Sequence, residues 1–395
     1  MTRLLPLIAI LFLFSCSPQN SQAVDSEITE YIPLQVGAER MAEYLPLLEG
    51  KRVGLVVNQT SVVHKTHLVD TLLSLGVQIQ KVMAPEHGFR GEAPDGQKIE
   101  DAKDEKTGIP IVSIYGSKKK PSPEMLEDVD VLIFDIQDVG VRFYTFISTM
   151  HYIMEAGAEN GKEVIILDRP NPNGMYVDGP IKSDSISAFI AMHPIPIVHG
   201  LTVGELAQMI NKEGWLANGV QCDLTVIPME GWTHNDTYSL PIKPSPNLPN
   251  DKAIALYPSL GLFEGTVVSV GRGTNLPFQV LGHPQFDWGR FTFTPRPNAG
   301  SKFPPLQGEL CTGESFVDSE INYELNIDYL YKYFNNLRNK TQFFTDYFTL
   351  LAGTEDLRKM IEADIPEIEV RKTWQADLDL YKTMRKQYLL YPDFE

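Results

Sequence analysis

The chain has 395 residues, 43% hydrophobic and 22% charged, which is enough material for two globular domains. A formal net charge of −17 argues against nucleic acid or an anionic membrane surface as partner, since both require a basic footprint. Only three cysteines are present, so neither a disulfide framework nor a zinc ribbon is available, and an anionic substrate must be caught by a local cluster of Arg or Lys.

The opening segment "MTRLLPLIAILFLFSC" (1–16) reads as an export signal and not as part of the fold. Arg3 precedes an apolar run from Leu4 to Phe14, shorter than the roughly 20 residues that span a bilayer. "LFSC" resembles a loose bacterial lipobox, with Cys16 as the lipid-modified first residue of the mature protein; the alternative is an ordinary secretion signal cleaved nearby. Residues 17–30 form a polar tether that cannot bury enough apolar surface to fold. These features predict an exported bacterial lipoprotein, anchored to the membrane only through its N-terminal lipid and facing the periplasm. Cys222 and Cys311 then form either a bridge or two unpaired core residues.

From there strands and helices alternate. "RVGLVVN" reads as a strand, "THLVDTLLSLG" as a helix, and "VQIQKVMA" and "IPIVSIYG" as strands. "SPEMLEDV" is a short helix with Ser122 as N-cap and Pro123 at its first position. "DVLIFDIQDVG" is a strand, "FYTFISTMHYIMEAGAENG" a long apolar helix, and "EVIILDRPNPNG" a strand broken by prolines. "LTVGELAQMINKEGW" opens with a capping box of Thr202 and Glu205, and "DLTVIPM" closes the series. Nearly continuous apolar strands between helices predict a Rossmann-like, doubly wound α/β domain over 31–242, with a mostly parallel sheet. No G-x-G-x-x-G follows the first strand, so no dinucleotide cofactor is expected. From about Lys243 the texture turns rich in Pro and Gly, then aromatic and helical, which predicts a smaller α+β domain over 243–395. The aromatics of the last helix recur at helical spacing and read as core.

In open α/β sheets ligands bind beyond the carboxyl ends of the strands. The first strand delivers Asn58 there, and the second delivers Glu86, His87, Arg90 and Glu92. The fourth delivers Asp135, Gln137 and Arg142, and the fifth Asp168, Arg169 and Asn171. This set holds no nucleophilic serine or cysteine, and no H-x-x-H or H-E-x-x-H accompanies His87, so no metal is expected. Carboxylates, amides and arginines suit cleavage of a glycosidic bond, in which one carboxyl group protonates the leaving oxygen while a second stabilises or attacks the anomeric carbon or activates water. Glu86 and Glu92 fit that description, on a loop whose Gly88 and Gly91 allow it to fold back. The alternative is a structural Glu86–Arg90 ion pair with Glu92 solvated. Further on, Glu264 precedes a strand and Arg272 sits between two glycines, either offering its fork to a carboxylate or closing a tight turn.

The strings "PEHGFRGEAPDG", "DVDVLIFDIQDVGVRFYTFISTM", "ILDRPNPNG", "HGLTVGELAQMIN" and "LYPSLGLFEGTVVSVGRGT" together resemble the exo-β-N-acetylmuramidase glycosidases of bacterial peptidoglycan recycling, over nearly the whole mature chain. The resemblance implies release of N-acetylmuramic acid from the non-reducing end of peptidoglycan fragments, in a cleft between a Rossmann-like domain and an auxiliary one. It places the acidic loop at Glu86 to Glu92 and the amide and arginine positions at Gln137, Arg142, Asp168, Arg169 and Asn171. The lactyl carboxylate of that sugar calls for a cation, with Arg272, Arg142 and Arg169 as candidates. If the substrate's own acetamido group takes part, Asp135 is the candidate to orient it. The rival readings are a non-catalytic, lipid-tethered binding protein for muropeptides or amino sugars, and an amidase or esterase acting on the same material.

Overall fold

A computed structural model describes residues 32–86, 88–90, 102–116 and 118–395. The signal segment with Cys16 and the tether lie outside the described residues. The strands of the first part are β1 (Arg52–Val57), β2 (Val62–Val63), β3 (Thr66–His67), β4 (Gln78–Ala84), β5 (Ala102–Lys103), β6 (Pro110–Ser113), β7 (Val131–Asp135), β8 (Glu163–Leu167) and β9 (Leu224–Ile227). Seven of them form one sheet in the order β5-β6-β4-β1-β7-β8-β9, and β2 pairs with β3 in a separate hairpin. Every pairing in the large sheet is parallel except that of β5 with β6. The chain starts at the centre, winds outward through β4 and β6, then returns to β7 and continues to β9. This is the doubly wound Rossmann order, with its switch point between β1 and β7.

Residue choice explains the parallel sheet. All five residues of β7 and the last five of β1 are buried, as expected of strands covered on both faces. The helix Phe146–Glu159 is buried along most of its length. The helix Val203–Lys212 begins at the predicted capping box: the Glu205 amide donates to Thr202 Oγ1 at 3.3 Å, and the Thr202 amide donates to Glu205 Oε2 at 2.8 Å.

The C-terminal part adds β10 (Val280–His283), β11 (Phe291–Phe293) and β12 (Cys311–Ser315), an antiparallel sheet in the order β10-β12-β11. Trp374, Leu378 and Tyr381 of the helix Glu367–Arg385 are buried, so its aromatics are core. Pro33–Glu395 packs as one compact unit. A continuous apolar cluster runs from Phe134 in the parallel sheet to Phe278, Tyr333 and Trp374 in the C-terminal part. Cys222 and Cys311 are both free and buried, and burial pushes each thiol up to about 12.

One polar group ties the two parts together. Arg142, in the loop after β7, is almost wholly buried. Its Nη1 donates to the carbonyls of Pro180 and Ile195 at 2.9 and 2.7 Å, and its Nη2 to those of Leu351 and Ala352 at 3.0 and 2.6 Å. The last two carbonyls end the helix Tyr347–Ala352, where the unpaired C=O groups and the helix dipole both favour a cation. Gly353 follows at φ 73°, and a Cβ there would lie 2.4 Å from Nη2. Replacing Arg142 with Met removes the donors and leaves buried carbonyls without partners. The Arg142→Met protein is expected to lose at least about 3 kcal/mol in urea unfolding; a loss below about 1 kcal/mol would show that those carbonyls find other donors.

Candidate active site

A cleft of about 640 Å³ opens over the carboxyl ends of β4 and β6 and the N-terminus of the helix Phe146–Glu159, and the C-terminal part walls its other side. Glu86 follows β4, Tyr115 follows β6, and Thr145 is the N-cap of the helix. The Tyr115 hydroxyl donates to Glu86 Oε1 at 2.7 Å and the Thr145 hydroxyl to Glu86 Oε2 at 3.2 Å. Each carboxyl oxygen thus has a neutral hydroxyl neighbour, which fixes the rotamer without pairing the group with a cation. Glu86 is half-buried and keeps an edge toward the cleft.

Across the cleft stand Glu264, in the 3-10 turn Gly261–Gly265, and Arg272. Arg272 Nε donates to Glu264 Oε1 at 2.6 Å, and the guanidinium carbon lies 5.1 Å from the centroid of the Phe278 ring. Gly271 and Gly273 flank it at φ 80° and 78°, and Cβ atoms on them would come within 2.7 Å of the Leu276 and Arg296 carbonyl oxygens, respectively. Lys119 sits 4.3 Å from the centroid of Phe189, and Lys302 also faces the cleft. Tyr144, Phe146, Tyr257, Phe278 and Tyr347 supply aromatic walls, and Phe303 stands at the mouth with 88% of its surface exposed. Among the described lining residues, Lys119, Arg272 and Lys302 oppose Glu86 and Glu264, a surplus of one positive charge in a chain of net charge −17. No described group of three or more His, Cys, Asp and Glu side chains is placed to hold a metal ion.

The strand-end residues divide into two sets. Glu86, Glu264 and Arg272 line the cleft. The others with described positions are braces, turned inward and bonded to protein. Asp135 is fully buried and accepts from Arg169 Nε at 2.5 Å and Nη2 at 2.8 Å, so both leave the site by neutralising each other. Arg142 is consumed by four carbonyls, as described above, and is not among the residues that line the cleft. Asn58 Oδ1 accepts from the Thr60 amide and hydroxyl at 2.9 and 2.6 Å. Gln137 Nε2 donates to the carbonyls of Asp138 and Pro170 at 2.8 and 2.6 Å, and Asn171 Nδ2 to that of Leu201 at 2.8 Å. Asp168 takes donors from Tyr391, Thr202, Gly204 and Arg169. Burial, then the charge of Glu205, pushes its carboxyl up to about 6, so it stays largely ionised at neutral pH for those donors. Arg90 grips Asp104 with two hydrogen bonds of 3.0 and 2.9 Å, and no described hydrogen bond or ion pair joins it to Glu86. His87 and Glu92 lie outside the described residues.

Tyr115, Thr145, Lys119, Lys302 and Phe303 were not among the sequence candidates. Tyr115 falls inside the strand read as "IPIVSIYG", which ends at Ser113 in the structure. Thr145 falls inside the helix read from Phe143, which begins at Phe146 with Thr145 as its N-cap. Lys302 and Phe303 sit in "GSKFPP", a stretch without period or motif.

A doubly wound α/β chain that presents a hydroxyl-bonded glutamate to an aromatic, cation-rich cleft has the parts of a carboxylate-dependent hydrolase. The chain belongs to the exo-β-N-acetylmuramidase NamZ family and is a glycosidase. The N-terminal model of that family matches residues 53–252 and the C-terminal one residues 255–391. The chain is 37% identical over 415 aligned positions to peptidoglycan β-N-acetylmuramidase NamZ of Bacillus subtilis, covering 96% of this chain and 97% of that protein. Two crystal structures of DUF1343 family proteins from Bacteroides fragilis share the fold. One has 46% identity and a TM-score of 0.86, covering 92% of this chain and all of the other; the second has 30% identity and a TM-score of 0.77, covering 91% and 99%.

If the two hydroxyls set the orientation of Glu86, removing one degrades the geometry but not the fold. Tyr115→Phe is expected to lower kcat about tenfold on a scissile glycoside with an unchanged melting temperature. A kcat within twofold of wild type would mean that Thr145 and the helix suffice.

Proposed function

We propose that this protein is a peptidoglycan glycoside hydrolase that removes N-acetylmuramic acid from the non-reducing end of glycan fragments, with Glu86 as the central catalytic group. The observation that carries this reading is the set of three cations, Lys119, Arg272 and Lys302, that line the cleft with Glu86 in a strongly acidic chain. A neutral sugar needs no such set, whereas the lactyl carboxylate of muramic acid does. Arg272 offers the planar donor fork that suits a carboxylate, and Lys119 and Lys302 supply point charges at the same cleft. The exposed Phe303 ring at the mouth is a platform for the C–H face of a pyranose ring.

In the proposed reaction the Glu86 carboxyl gives its proton to the glycosidic oxygen as the bond from the anomeric carbon breaks. Water adds at that carbon and passes a proton to a second base. Asp135 is sealed by Arg169, so Glu92 is the proposed base. In the substrate-assisted alternative the acetamido oxygen attacks the anomeric carbon as the bond to the leaving oxygen breaks, and the Glu86 carboxylate then takes the proton of the water that opens the resulting ring. Exo action fits a cleft closed on one side by the C-terminal part. The same proposal places the enzyme outside the cytoplasm, tethered through Cys16 and facing the periplasm, where such fragments arise.

The test uses a chromogenic β-N-acetylmuramic acid glycoside with the N-acetylglucosamine analogue as control. Wild type is expected to release chromophore from the muramic glycoside selectively, and Glu86→Gln to be slowed at least about 10³-fold. Arg272→Ala is expected to raise KM about tenfold for the muramic glycoside and to leave the glucosamine analogue within about twofold. Equal losses on both sugars would end the carboxylate-recognition reading, and full activity in Glu86→Gln would move the acid elsewhere.

A further inference from the structure

The cations of the cleft differ in how they are held. Arg272 leans on Glu264, whereas Lys119 makes no ion pair among the described residues and rests on the face of Phe189. A cation without a counter-charge is free to pair with a substrate acid. A lysine in an irregular segment has a flexible stem, however, and its backbone must be fixed from elsewhere. Both halves of the Lys119–Phe189 contact are tied to the helix Phe146–Glu159. The Ser148 hydroxyl donates to the Phe189 carbonyl at 2.6 Å, and the Tyr152 ring stacks on Phe189 with centroids 6.0 Å apart. Lys120, the next residue after Lys119, sets its Nζ 2.7 Å from Glu155 Oε1 and 2.5 Å from Glu159 Oε2. The N-cap of the same helix is Thr145, whose hydroxyl is bonded to Glu86. One rigid element thus holds a neighbour of Glu86 at its start and the anchors of Lys119 and Phe189 along its length.

The anchor is built in depth. Glu155 is buried, accepts from the Ala217 amide at 2.6 Å and lies 3.4 Å from His151 Nε2. His151 Nδ1 is 3.2 Å from His193 Nε2, and His193 Nδ1 has no hydrogen-bond partner. A buried lone pair is easier to leave unmet than a buried N–H, which assigns the protons: His193 Nε2–H donates to His151 Nδ1, and His151 Nε2–H points to Glu155. Burial keeps both imidazoles below the ordinary histidine value, so they are neutral at pH 7 and leave the Glu155 charge to Lys120. Burial also opposes the charges of Glu155 and Lys120. Their bonds to each other, to Ala217 and to Glu159 outweigh it, so the carboxyl is held below its ordinary value and the ammonium above.

We infer that Lys120 is a positioning residue for substrate binding: its ion pairs with Glu155 and Glu159 hold Lys119 against Phe189, where Lys119 captures the substrate carboxylate at a set place relative to Glu86. The inference rests on the proposed function for the identity of that carboxylate. Lys120 is not among the residues that line the cleft, so it acts through its neighbour. The histidine pair and the Ala217 amide keep Glu155 in place from behind, out of reach of substrate.

The test is a double-mutant cycle read by calorimetry, with N-acetylmuramic acid and N-acetylglucosamine titrated into the full-length protein. Wild type is expected to prefer the acid. Lys119→Ala and Lys120→Met are each expected to bind the acid about tenfold more weakly and to hold the neutral sugar within about twofold of wild type. Lys120→Arg, which can still meet two carboxylates, should stay within about threefold. Because Lys120 acts through Lys119, the double variant Lys119→Ala with Lys120→Met should lose about tenfold, not the roughly hundredfold of independent sites. On the chromogenic muramic glycoside, Lys120→Met is expected to raise KM and to leave kcat within about threefold, since Glu86 keeps its two hydroxyls. A hundredfold loss in the double variant, unchanged affinity in Lys120→Met, or equal losses on both sugars would each overturn the inference, while a wild-type preference for the acid would leave the proposed function standing. Wild type without that preference would overturn both.

Discussion

The architecture depends on a buried guanidinium that has no carboxylate partner among the described residues. Burial pushes Arg142 down to about 9, so it remains a cation at neutral pH. Its charge is met by four backbone carbonyls drawn from the first part and from the end of the helix Tyr347–Ala352. A carboxylate partner would have satisfied it within one segment; carbonyls from three places make it a joint. The loop carrying Arg142 continues into Phe143, Tyr144 and Thr145, and the helix it holds begins with Tyr347, all lining the cleft. The width of the cleft is therefore set by a bond network behind it.

A second constraint follows from how the sheet's switch point is filled. In a doubly wound sheet the crevice between the two central strands is the usual ligand site. Here Arg169 reaches from the end of β8 to pair with Asp135 at the end of β7, and Ser61 donates to the Asp135 carbonyl. Thr60 links Asn58 to the Gln137 amide across the same gap. Polar side chains that would grip a cofactor in another protein are spent on each other, and the open space lies over β4 and β6.

This explains both what the sequence made legible and what it did not. Alternation of apolar runs and helical spacing fixes the fold class, because burial on both faces leaves its mark on all of β7 and on the last five residues of β1. Strand ends mark the edge of the sheet over which the cleft opens, and Glu86, Glu264 and Arg272 line that cleft. Residue type alone cannot show whether a polar side chain spends its valence inward. Asp135, Arg169 and Gln137 look like ligand-binding residues in one dimension because a polar brace and a polar site have the same composition. Their partners are far apart in the chain: Arg169 and Asp135 are separated by 34 positions, and Arg142 and Ala352 by 210. Lys302 and Phe303 are invisible for a different reason, since they belong to an irregular segment whose position depends on β10–β12 packing against the first part.

The charge distribution gives the arrangement its logic. A chain of −17 repels an anionic glycan at long range, but at physiological ionic strength that repulsion is screened beyond about 8 Å. Capture must then come from contact, and the cations must stand where screening is weakest, in a recess with low-dielectric aromatic walls. Arg272 against Phe278 and Lys119 against Phe189 are in that position. Pairing Arg272 with Glu264 keeps the guanidinium oriented before a substrate arrives and lowers the cost of holding it there unliganded. A guanidinium held in that way presents a planar donor fork, which favours a flat, bidentate acid over a hydroxyl of the same size. The proposed selectivity for a carboxylate-bearing sugar would thus require few cations in an acidic protein, provided each is held by an aromatic face or a counter-charge.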